Sequence, residues 1–204
     1  MGELTVMVNM SFKVFIVCVF LACIVENVSA VNCCSEKIIQ NIFKLNNCTG
    51  DVLEKLYQMG PFEHCLVPKI DMLSTIRCID GFTSEPCNGS ANASFTLRFY
   101  DKSIPPRTIN YRIQEQKCGH IKNIHTATFE GNSEVFFLSI GPYTACYYRC
   151  KQGGKEAPEA GGCIVAKNHP LDNQTLHAAI NKCEKNLEEV ELFQTFRHLK
   201  DYSN

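Results

Sequence analysis

The sequence has little that would hold it in a bilayer. Its main apolar stretch, Val14–Ile24, covers 11 residues, whereas a helical span needs roughly 20. An excess of one charge is also lacking, since 20 Lys and Arg stand against 21 Asp and Glu. No run of Lys or Arg marks a surface for nucleic acid or for an anionic membrane. Catalytic signatures are missing. There is no Gly-x-Ser-x-Gly, no His-Glu-x-x-His and no phosphate-binding glycine loop, and the six His residues sit in no partner motif. Metal-ligand spacing is incomplete. Cys146-x-x-x-Cys150 and Cys118-Gly-His120 are loosely metal-like, but cysteines in an oxidising compartment form disulfides instead. Nothing here makes a positive case for an enzyme, a metal or a cofactor.

What is present points to export. Lys13 precedes the apolar stretch, and a short polar segment then ends in Val28-Ser29-Ala30, a small-residue cleavage site. This pattern predicts a signal peptide over 1–30, with Met10 as an alternative start. The remainder, 31–204, is about 174 residues, enough for one domain with its own core. Of 13 cysteines, 11 follow the cleavage site: Cys33, Cys34, Cys48, Cys65, Cys78, Cys87, Cys118, Cys146, Cys150, Cys163 and Cys183. In a secreted chain they form a disulfide framework. The odd count leaves a thiol over or makes an intermolecular bridge, and the adjacent pair Cys33-Cys34 is the expected source. Sequons at Asn47, Asn88, Asn92 and Asn173 predict surface N-glycosylation.

Hydrophobic periodicity then sets the elements. Ile38, Ile39, Ile42, Phe43 and Leu45 recur at helical spacing behind Ser35 as N-cap. A second turn runs through Val52, Leu53, Leu56 and Tyr57 until Gly60-Pro61 stops it. Eight short strands are predicted next, at 64–70, 74–81, 94–101, 107–114, 125–130, 134–140, 144–151 and 162–167. A last helix buries Leu176, Ala179, Ile180, Cys183, Leu187 and Val190, with Phe193 and Phe196 as an extension and a frayed tail from Arg197.

Eight successive antiparallel strands with mostly short links close naturally into an up-and-down barrel, flanked here by an N-terminal and a C-terminal helix. A two-sheet sandwich with a helical cap is the competing arrangement. Strand alternation places Phe95, Leu97, Phe99, Ile109, Tyr111, Ile113, Phe129, Phe137 and Tyr147 on one interior. They make either an ordinary core or the lining of a ligand chamber. Arg98, Arg112 and Arg149 read as solvated and outward-facing. Turned inward, they would meet a lipid carboxylate.

Tyr143-Thr-Ala-Cys146-Tyr-Tyr-Arg-Cys150, a Gly-rich hairpin over 152–162, Gly162-Cys163-Ile164-Val165, Leu171-Asp172-Asn173 and Ala178-Ala-Ile-Asn-Lys-Cys183 follow one another in order. This series resembles the salivary lipocalins of ticks, which include the histamine-binding proteins. The resemblance covers about a third of the chain. It implies a lipocalin barrel, a Cys146–Cys183 disulfide tying the last helix to it, and Cys65 or Cys78 as the family's early-strand cysteine. The chain departs from the family in having no Trp and no C-terminal cysteine. Phe136-Phe137 and Ile164 stand where the histamine binders carry acids, so the resemblance implies an apolar guest rather than a copied histamine site. Glu134, Glu130, Asp101 and Asp80 are the remaining partners for an amine, each more simply a solvated strand-end or loop acid.

The leading expectation is a secreted, monomeric sequestrant of a small apolar, amphipathic or amine ligand. If the family resemblance holds, it acts on host mediators and so evades host defence. The alternative is a secreted module that engages a host protein through its loops at 84–92 and 152–162.

Overall fold

Ser35 opens the first helix by accepting the backbone N–H of Ile38 on its side chain. That helix, α1 (Glu36–Leu45), buries Ile38 and Ile42 and ends at Asn46. Asn46 is itself bound into the structure, donating its side-chain amide to the carbonyls of Cys118 and Phe137. The computed structural model describes residues 34–46, 50–125, 132–151 and 159–199. The expected leader, Cys33, Asn47, Cys48, Phe129, Glu130, most of the 152–162 hairpin and the last five residues lie outside that set.

A second helix, α2 (Val52–Met59), follows and buries four apolar residues. Its N-cap Asp51 is left-handed and makes no side-chain cap. Glu115 supplies the cap from across the fold, accepting the N–H groups of Val52 and Leu53.

Eight strands then wind round: β1 (Phe62–Pro68), β2 (Ile76–Thr83), β3 (Ser90–Phe99), β4 (Arg107–Glu115), β5 (His120–His125), β6 (Ser133–Ile140), β7 (Thr144–Lys151) and β8 (Ala160–Ala166). Every neighbour pair is antiparallel. The sheet closes where β1 meets β2 at Phe62–Gly81 and Glu63–Asp80. A one-turn helix, α3 (Asp71–Ser74), links those two strands. The result is the closed eight-stranded up-and-down barrel that the strand count predicted, not the sandwich.

After β8 comes α4 (Asn173–Glu189), capped by Asp172 on the N–H of Thr175. Leu176, Ile180, Cys183, Leu187 and Val190 are its buried stripe, while Ala179 stays half-buried. Phe193 and Phe196 do not extend it. Glu191 turns left-handed, and Phe196–His198 form a short ninth strand, β9, on the free end of β1. The expected frayed tail is therefore anchored through 199. Arg197 donates to the carbonyls of Leu73 and Ile76, and Leu199 is buried. Backbone pairing with an open strand end outweighs continuation of the helix here.

The fifth strand starts earlier than expected, at His120, because Cys118 and Gly119 take positive φ and turn the chain there; of the expected 125–130, all but His125 lies outside the described residues.

The barrel wall separates two cores. Outside it, α1 and α4 pack on β6, β7, β8 and β1 through Ile38, Ile42, Phe136, Leu138, Tyr148, Val165, Ile180 and Leu187. Inside it, Phe62, Ala91, Ala93, Tyr111, Ile113, Ile121, Val135, Phe137, Ala145, Ile164 and Ala166 pack with α2, which closes that end as a floor. The opposite end carries the 100–106 connection.

Both disulfides for which two partners are described land on the outer face of β7. Cys34 bonds Cys150, fixing the start of α1, and Cys146 bonds Cys183 of α4. Cys118 is also disulfide-bonded. The expected leftover thiol at the Cys33-Cys34 pair is not at Cys34. Among the described residues the free cysteines are Cys65, Cys78, Cys87 and Cys163. Asn88, Asn92 and Asn173 are exposed.

Candidate functional site

Alternation aims every second side chain of each strand into the barrel. On β1, Phe62 and His64 point in. On β3, Ala91, Ala93 and Phe95 do so. On β7, Ala145, Tyr147 and then Arg149 do so, while Cys146, Tyr148 and Cys150 face the helices. A layer of rings results at mid-height. The His64 ring lies 5.6 Å from Tyr147 and 6.0 Å from Phe95, and Phe95 lies 5.8 Å from Tyr111 and 6.1 Å from Phe62. The Phe95, Tyr111 and Phe62 contacts are edge-on, the favourable geometry for ring quadrupoles.

Two glycines make room for this layer. Gly162 stands opposite Tyr147, and a Cβ there would come within 2.4 Å of the Tyr147 hydroxyl oxygen and 2.9 Å of the Leu66 carbonyl oxygen. Without a side chain at 162, Tyr147 crosses β8 diagonally and its hydroxyl meets His64 Nδ1 at 2.9 Å. Gly81 likewise lies under the Phe62 ring.

Several of these groups keep free surface although protein surrounds them. His64, Phe95, Ile109, Tyr147 and Arg149 are only half-buried, yet burial governs the ionisation of His64 and Tyr147. It lowers the His64 pKa to about 4, aided by the Arg149 guanidinium and opposed by Asp80. It also pushes the Tyr147 hydroxyl up, with Arg149 acting the other way. By strand alternation this free surface belongs to the interior side of the barrel wall. With its pKa so lowered, His64 is neutral near pH 7. Its Nε2 is buried with no hydrogen-bond partner. A second polar group, Asn123, lies on the opposite wall, where it donates to Ser133 and leaves its Oδ1 unpaired.

Of the nine predicted lining residues, six come together in the inner core: Phe95, Ile109, Tyr111, Ile113, Phe137 and Tyr147. Ile113 and Phe137 are packed tightly, whereas Phe95, Ile109 and Tyr147 are more open. Leu97 and Phe99 continue the Phe95 face of β3 toward the end opposite α2, outside the packed cluster. Phe129 lies outside the described residues. His64, Phe62 and Gly162 were not foreseen, although Phe62-x-His64 follows the same two-residue period. Arg149 was expected to be solvated. It shares the parity of Tyr147 and faces inward, while Arg98 and Arg112 are exposed on the outer wall.

The acids named as amine partners lie elsewhere. Asp80 is on the outer wall, bound by Lys167 at 2.7 Å and by Arg98 at 3.0 Å. Asp101 is exposed and accepts from Ser103. Glu134 is buried on the outer face, paired with His120, which stacks on Phe136. Glu130 is outside the described residues. Glu63, Cys78 and Asp80 bring ligand atoms within 4.8 Å of one another, but the two cations on Asp80 oppose a metal ion there.

No protein-family model matches the chain, and neither does any curated protein. Solved structures do match in shape. Lobster apocrustacyanin A1 superposes with a TM-score of 0.54 at 14% identity, covering 77% of this chain and 83% of that one. The amine-binding protein of Rhodnius prolixus, in its tryptamine complex, gives 0.53 at 10% identity, over 71% and 79%. A dog lipocalin allergen gives 0.53 at 13% identity, over 71% and 95%. These identities establish the lipocalin fold and nothing finer.

Proposed function

We propose that this chain is an exported carrier that encloses a small apolar or amphipathic molecule in its barrel and so removes it from solution. The observation that carries the proposal is the ring layer of His64, Phe95, Tyr111 and Tyr147 on the inner side of the barrel wall above the α2 floor, in which His64, Phe95 and Tyr147 keep free surface. Such an interior offers apolar walls with a few fixed polar groups, the usual make-up of a small-molecule site. The lipocalin fold supports the reading, and the tick-like order of residues 143–183 suggests host mediators as the guests.

Export is part of the same proposal. The segment 1–30 has the pattern of a leader, the two disulfides suit an oxidising compartment, and the exposed sequons at Asn88, Asn92 and Asn173 would carry glycans. No described helix is long and apolar enough to cross a membrane.

The test is saturable binding of the fluorescent apolar probe N-phenyl-1-naphthylamine. The expected result is one probe per chain, with Ile109→Trp weakening it by about tenfold or more by filling the space while melting stays cooperative. Absence of saturable binding, or binding indifferent to Ile109→Trp, overturns the proposal.

A further inference from the structure

We infer that Cys65 and Cys163 are an oxidative modification site, closing as the chain folds into a further disulfide that joins β1 to β8. The inference rests on the export proposed above and is independent of what the barrel encloses.

The register sets the two cysteines side by side. β1 and β8 pair at His64–Ile164 and next at Leu66–Cys163, so Cys65 is the extra residue of a bulge. In a bulge two residues oppose one on the partner strand, and here Cys65 and Leu66 together oppose Cys163. All three belong to the outer core, whereas Ile164 belongs to the inner one. Opposed residues of antiparallel strands hold their Cα atoms about 4.5–5.5 Å apart, inside the range of about 4.4–6.8 Å that a disulfide bridges. The groups already meet. Cys65 Sγ donates to the Cys163 carbonyl oxygen at 3.4 Å. Hydrogen bonding to the Cys163 side chain, with burial second, holds the Cys65 thiol far above its ordinary range.

Other partners are taken. Cys146 lies opposite Cys163 on the far side of β8, but it is bonded to Cys183. Cys78 donates its thiol to Asp80 on the outer wall, and Cys87 is exposed. Among the described residues Cys65 is therefore the cysteine left for Cys163.

The oxidant is a protein disulfide of the oxidising compartment. The thiolate of one cysteine attacks a sulfur of that disulfide and expels the other sulfur as a thiol. The second cysteine then attacks the mixed disulfide, forming the Cys65–Cys163 bond and releasing the oxidant as a dithiol. Two protons and two electrons pass from this chain to the oxidant. In the finished fold both thiols are buried in the core shared with α1 and α4. A buried, protonated thiol is a poor nucleophile, so the exchange belongs to folding, before those helices dock.

The test is a disulfide map of the full chain produced in insect cells and collected from the medium. The protein is unfolded in N-ethylmaleimide, which caps free thiols, and cut with trypsin without reduction. Residues 56–69 hold Cys65 alone and 156–167 hold Cys163 alone, each released at lysines and free of sequons. The expected result is one linked species of these two peptides, two hydrogens lighter than their sum, which reduction separates. Cys65→Ser should convert 156–167 to its capped form while Cys146–Cys183 persists. Recovery of both peptides capped, with Cys34–Cys150 and Cys146–Cys183 intact, overturns the inference and leaves export standing. A link from either peptide to any other cysteine does the same. Absence from the medium, or capping of every cysteine, overturns export and the further bond together.

Discussion

His64 is where burial has a measurable consequence. Its folded-state pKa is about 4 against an ordinary 6.5. Between those values the unfolded chain binds a proton that the folded chain does not, so stability falls as pH drops from 6.5 toward 4 and the loss levels off below that. The full contribution is about 3 kcal/mol. Wild type should therefore lose several degrees of melting temperature between pH 7 and pH 4.5, and His64→Gln should lose much less over that interval. An equal loss in both proteins would mean that His64 does not titrate in that window. The alternation rule by which Phe95, Ile109 and Tyr147 could be read as interior applies equally to His64 and Arg149. They were missed because residue type was weighed above parity. A charged or titratable side chain is ordinarily solvated, and one set on the inner face of a barrel inverts that expectation.

At the scale of elements, position depended on what each segment could pair with. The helices at 36–45 and 173–189 declare themselves through apolar spacing and through caps at Ser35 and Asp172. Alternation finds the barrel strands but not their ends. β5 starts at a turn set by the left-handed Cys118 and Gly119, and β9 exists because β1 offers an open end past Leu66. Neither cause is visible in local periodicity. The floor helix α2 is the plainest case of dependence on a distant residue. Eight residues are too few for an independent helix, and its own N-cap makes no side-chain bond. The Glu115 carboxylate from β4 binds two of its free N–H groups. Glu115→Ala should cost about 1–2 kcal/mol in urea unfolding. It should also speed hydrogen exchange at Val52 and Leu53 more than at the strands. If exchange there is unchanged, α2 is held by its buried apolar residues alone.

For the whole molecule, one wall serves two cores, and the disulfides stitch only the outer one. Cys34–Cys150 spans 116 residues and Cys146–Cys183 spans 37. In the chain-entropy account these are worth about 5 and 4 kcal/mol, against a total near 5–15 kcal/mol for an ordinary domain. Serine at Cys146 and Cys183 should leave a folded protein with a clearly lower urea midpoint. Serine at all four positions should leave one close to unfolding at 37 °C. The order of loosening follows from where the bonds attach. Both hold helices to the outer face of β7, whereas β3 and β4 are closed by their own ladder and by Tyr111, Ile113 and the α2 floor. Backbone amides of α4 should therefore lose exchange protection first in the Cys146→Ser, Cys183→Ser protein, with α1, still held by Cys34–Cys150, and β3 and β4 retaining theirs. Uniform loss over helices and strands would show that the two cores unfold as one unit, and that the inner core depends on the outer helices for its shape.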